Sequence, residues 1–193
     1  MMHEADNDLT TIGNPYLDVL KAVRLCHPGW ESISRVTFVA TPGIATKPWE
    51  IWKKDIFDSL LAPQFLRAWA SYASGNTAGW MEADRTIGET LPARAETLSR
   101  RNGQALMKSY TVPAAEKNWT RLHTAMIEGR THAHLATVMA LRAAAFHVSP
   151  RLALSGYVLL ESVGEFGSGE PQRCFEMVQA CPPPDASAHL RAA

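Results

Sequence analysis

The seven histidines and three cysteines are the residues through which this chain could do metal chemistry. Cys174 and Cys181 stand seven apart and no Cys-x-x-Cys occurs, so the usual spacing of a structural zinc site is missing. His132 and His134 are two apart, which on a helix points them roughly 200° apart around the axis, too far to share an ion. If Thr131 is instead the N-cap, the pair falls in a first turn, where geometry is looser and free backbone N–H groups favour anions. Cys26-His27 offers one soft and one borderline donor at a helix end, enough for a transient contact and too few for a site. His147, just before Ser149-Pro150, suits a helix C-terminus. The expectation is no resident metal and no cofactor.

Other chemistries find less. The stretch from Gly164 to Glu170 has three glycines but follows a helical pattern and carries acidic residues that would repel phosphate; neither the dinucleotide fingerprint nor the P-loop ending is present. Gly167-Ser168-Gly169 is too tight for a nucleophile elbow. Glu82, Asp84, Glu89 and Glu96 alternate with Arg85, Arg94, Arg100 and Arg101, the habit of a solvated helix face. The tryptophans, including Trp49, Trp52, Trp69, Trp80 and Trp119, recur at helical spacing among apolar residues and read as core or interface.

The elements that must position these residues are helices. Tyr16, Leu17, Val19, Leu20, Val23 and Leu25 make an apolar face after Pro15. Trp49, Trp52, Ile56 and Leu60 make a second, and Pro63 restarts the pattern with Phe65, Leu66, Trp69 and Tyr72 up to a Gly75-Asn76 cap. Residues 77–90 and 92–110 each show one wet face. Pro113 opens a helix ending at Gly129, and 131–147 is an alanine-rich helix small enough to pack on several sides. Ser149-Pro150 caps a segment through Val163, and Pro171 starts a last one. Only Ser34 to Ala40 reads as strand-like, with no second strand to pair with. About eight helices in an all-α bundle are expected, as one domain over residues 15–181 between flexible segments 1–14 and 182–193.

Composition sets the class. In 193 residues, 46% are apolar and 20% charged, which is globular, and 19 basic residues balance 19 acidic ones, so no net field draws nucleic acid or an anionic membrane. The odd cysteine count, the polar N-terminus and the lack of a long apolar run suit a cytoplasmic protein.

The order of several fragments resembles the UreF family of urease accessory proteins over roughly residues 65–173. These are Phe65-Leu66-Arg67-Ala68-Trp69 with Ser74-Gly75-Asn76, Ala93-Arg94-Ala95-Glu96-Thr97, Asn102-Gly103-Gln104-Ala105-Leu106-Met107, and the alanine-rich His134 to Phe146. Ala153-Leu154-Ser155-Gly156-Tyr157 and Phe166-Gly167-Ser168-Gly169-Glu170-Pro171-Gln172-Arg173 follow. The family's N-terminal signature is reduced to an echo in Thr41 to Glu50, and Ser162 stands where the family has arginine. The resemblance implies a non-enzymatic, chaperone-type, dimer-forming protein. It would join UreD/UreH-like and UreG-like partners to assist nickel insertion into urease. It also implies a partner surface at Tyr157, Phe166, Gln172 and Arg173, with Trp69 and Gly103 in packing roles. The residues alone leave two other readings: a small helical subunit of a multi-subunit enzyme, or an enzyme using His132, His134 or Glu161 in a helical cavity.

Overall fold

The computed structural model describes residues 15–30, 48–109 and 117–162, together with the helical residues Cys174, Glu176, Val178 and Gln179. Among these residues there are eight α-helical segments and no strand. The strand-like run Ser34 to Ala40 lies outside them. No described helix is long and apolar enough to cross a membrane.

Helix α1 (Pro15–Cys26) buries Val19, Ala22, Val23 and Cys26, a stripe at spacings of three and four. The stripe is narrower than the sequence pattern, for Leu17 and Leu25 are 49% and 42% exposed. Helix α2 (Pro48–Trp52), a π-helical segment (Lys53–Leu61) and α3 (Ala62–Ala73) follow as one unbroken rod, where a restart at Pro63 is expected. Pro63 stands inside this rod, at the junction where π pairing gives way to α pairing, and its missing N–H leaves one rung of the ladder unmade there. In the π segment each N–H reaches five residues back, as Ala62 N–H does to the Phe57 carbonyl. Residues five apart are therefore brought over one another. Trp52 and Phe57 stack with centroids 5.5 Å apart, and Phe57 enters the core beside Leu60 and Leu61, a position the spacing of three and four had passed over.

Helix α3 buries Phe65, Leu66, Ala68 and Tyr72 and ends at Gly75, whose φ of 76° lets Asn76 N–H bond back to the Ser71 carbonyl. The Asn76 side chain then accepts from Gly79 N–H at 2.8 Å and caps α4 (Thr77–Thr90), which buries Trp80, Ala83, Asp84 and Ile87. Helix α5 (Ala93–Ser109) turns Ala95, Ser99, Gly103, Leu106 and Met107 inward. Helix α6 (Lys117–Ile127) closes on Gly129 in the same manner as α3.

Helix α7 (Leu135–Ala145) is the axis of the molecule: every residue from Leu135 to Ala144 is buried, and α1, α3, α4, α5 and α8 (Pro150–Ser162) all touch it. Five alanines keep it thin enough to be wrapped on all sides. It begins four residues later than its sequence pattern suggests, because 131–134 is not helical. Its C-terminus carries a Schellman turn, with Val148 N–H on the Ala143 carbonyl at 2.8 Å and His147, not glycine, holding the left-handed position at φ 55°.

Candidate functional site

The four residues before α7, Thr131 to His134, pass over a carboxylate that sequence reasoning placed on a solvated face. Asp84 is instead fully buried. The reason is its position on α4, one residue after Ala83 and three before Ile87, on the stripe that faces α7. Its Oδ2 accepts from the Thr131 hydroxyl at 2.6 Å, His132 N–H at 2.9 Å and Ala133 N–H at 2.8 Å. Its Oδ1 accepts from His134 N–H at 2.7 Å and the Thr137 hydroxyl at 2.6 Å. One buried anion thus satisfies five donors at the positive end of the central helix. Ala133 takes φ 57° to make this wrapping possible.

Two glycines give the segment room. A Cβ on Gly103 of α5 would stand 2.1 Å from the Ala133 carbonyl oxygen and 2.6 Å from the His134 carbonyl carbon, so only glycine lets α5 pass this backbone. A Cβ on Gly88 of α4 would stand 2.9 Å from His134 Nε2.

His132 and His134 therefore do not diverge as they would on a helix. Their rings lie 5.7 Å apart, and one ligand-capable atom each from Glu96, His132 and His134 falls within 4.8 Å of the others. His132 is exposed, Glu96 half-buried, and His134 wholly buried with neither ring nitrogen hydrogen-bonded. Burial holds the His134 pKa below 6.5, against the opposing pull of Asp84 and Glu96. The spacing rule that set the two rings apart assumed a helix, which residues 131–134 do not form. Glu161, the third member of the enzymatic reading, is elsewhere: it accepts from the Tyr157 hydroxyl at 2.8 Å inside the core.

A second buried charge escaped the sequence pattern. Arg142 of α7 donates from Nε to the Cys26 carbonyl at 2.6 Å, reaches the Leu25 carbonyl at 3.4 Å, and lies 5.4 Å from the Phe146 ring centre. It caps the C-terminus of α1 with a cation, the sign that end favours. Beside it, burial pushes the Cys26 thiol up to about 12 and lowers His27 below 6.5.

Tyr157, expected at a partner surface, is corrected to the core: it is fully buried, with its ring 6.0 Å from Phe65, because α8 packs that face against its neighbours. Trp69 is half-buried and donates from Nε1 to the Val148 carbonyl at 3.0 Å. Phe166, Gln172 and Arg173 lie outside the described residues.

Around an inner helix wrapped by others and a polar turn tied to a buried carboxylate, the described residues define an all-α protein, with helices packed on helices. A family model, UreF, matches residues 57–161, more than half of the chain. The chain belongs to the UreF family, whose members are urease accessory proteins. The matched span runs from Phe57 in the π segment to Glu161 in α8, and so takes in Asp84, Gly103 and the histidine turn while stopping short of Phe166 to Arg173. Neither the curated proteins nor the solved structures give a match.

Proposed function

We propose that this chain is a non-catalytic, chaperone-type urease accessory protein that holds UreD/UreH-like and UreG-like partners together, in the cytoplasm, for nickel insertion into urease. The family match over residues 57–161 carries this reading. The nickel is cargo for the urease, and the GTPase activity belongs to the UreG-like partner. Residues 15–181 would form the single helical domain, and Phe166, Gln172 and Arg173, just after α8, the partner surface. Tyr157 and Glu161 support that surface from within, by fixing the last turns of α8 on which it depends. Trp69 and Gly103 serve packing. The chain would pair with itself or enter a heteromeric complex.

The test is reconstitution. Urease apoprotein with its other accessory proteins and nickel should gain urea hydrolysis when this chain is added, and affinity-tagged chain should retain the UreD/UreH-like protein in stoichiometric amount. Gln172→Ala/Arg173→Ala should lose the partner while keeping its helical circular dichroism. Full activation without the chain, or no retention of either partner, would overturn the reading. A native mass of two chains would establish the self-pairing.

A further inference from the structure

We propose that Glu96, His132 and His134 form an exchangeable binding site for a divalent transition ion of the cobalt-to-zinc class. Two imidazoles and one carboxylate are the donor set such ions take, and alkaline-earth ions, which want oxygen alone, would be poorly served. The backbone that carries both histidines is fixed by a single group, since Asp84 accepts from the N–H of His132 and of His134. Such anchoring holds donors in place before an ion arrives.

His134 supplies the observation that points to a ligand. Its ring is 0% exposed and neither nitrogen has a hydrogen-bond partner, a cost that a folded protein normally avoids. Ligation by one ring nitrogen would relieve it. Gly88 makes room for the His134 ring against α4, for a Cβ there would come within 2.9 Å of Nε2. On the outer side His132 is exposed and Glu96 partly so, which gives an entry path and leaves a position for water or an incoming donor. Tetrahedral ligands at zinc distances lie about 3.3 Å from one another, closer than the 4.8 Å span here, so His132 and Glu96 must swing inward on binding. Arg100, whose Nε lies 3.5 Å from Glu96 Oε1, is displaced or shared in the process, which keeps the site weaker and faster to exchange than a closed structural one.

This inference stands apart from the partner reading. Loss of partner binding leaves the titration unaffected, and a failed titration leaves partner binding intact. The full chain, freed of metal by chelator and dialysis, is titrated calorimetrically with zinc chloride and followed with cobalt(II) by visible absorption. One saturable ion per chain is expected, with His132→Ala and Glu96→Gln each weakening it at least about tenfold. His123→Ala on α6, outside the cluster, should change nothing. Gly88→Ala, which removes no donor but pushes the His134 ring from its place, should weaken binding too. Because His132 is exposed, its replacement leaves the core untouched, and unchanged circular dichroism separates lost ligation from lost fold. No saturable binding at millimolar zinc, or binding that His132→Ala and Glu96→Gln leave unaltered, would overturn the proposal.

Discussion

Single buried charges decide more in this molecule than its many surface ones. The exposed Arg85, bonded to Glu82 and Glu89 along α4, is of the kind worth little. Asp84 is of the other kind. Asp84→Ala would leave three backbone N–H groups and the Thr131 hydroxyl sealed without an acceptor, and the unfolding free energy from urea titration should fall by at least about 3 kcal/mol. Asp84→Asn keeps the shape but turns one acceptor into a donor, so it should cost nearly as much. His27 sets a pH dependence whose direction follows from its depressed pKa. Folded, it stays neutral because burial, and then the Arg142 charge, oppose the proton; unfolded, it titrates at about 6.5. Below that pH the unfolded chain binds the extra proton, so its contribution to stability is complete above about 6.5 and drains away as pH falls toward the folded value. Urea midpoints measured from pH 7.5 downward should show this loss, and His27→Gln should lessen it, the rest coming from His134, which burial shifts the same way. None of this was legible in the sequence. A lone Asp between Ala and Arg looks like any other, and only the arrival of the Thr131 to His134 backbone above it shows why it is buried.

At the level of helices, close approach and clean endings do the work. Gly103 lets α5 cross the start of α7, and Gly103→Ala, with its Cβ against three backbone atoms, should destabilise by about 3 kcal/mol in thermal or chemical unfolding. At the other end of α7 the sign reverses. His147 sits in a left-handed conformation that glycine adopts freely, so His147→Gly should raise stability by about 0.5–1 kcal/mol. Helix existence and most inward faces were readable from apolar spacing, as in α3 and α4, because their cores repeat every three to four residues. Two boundaries were not. Residues 131–134 have helical composition yet are pulled from the helix by Asp84. Pro63 looks like a break yet stands inside a continuous rod, at the change from π to α pairing.

At the scale of the molecule, α7 is shared by five neighbours among the described residues, so no helix pair there forms a core of its own. Unfolding of the described region should be one transition, with tryptophan fluorescence, to which buried Trp52 and Trp80 contribute, and far-ultraviolet circular dichroism giving the same midpoint. Two separated midpoints would show a second cooperative unit. The all-α class was legible from the succession of amphipathic stretches. The inner position of α7 was legible only in its alanines, and the histidine turn needed three separate helices before it came together. The π run between α2 and α3 bears on how such a chain can change over generations. Each of its turns holds one residue more than an α turn. Deleting one residue there can be taken up by one wide turn returning to ordinary pitch, which leaves the Trp49–Trp52 stack facing nearly as before relative to Phe65 and Tyr72. Length in this stretch is therefore buffered: relatives that shed a residue between positions 53 and 61 can keep their aromatic anchors in place by giving up one wide turn.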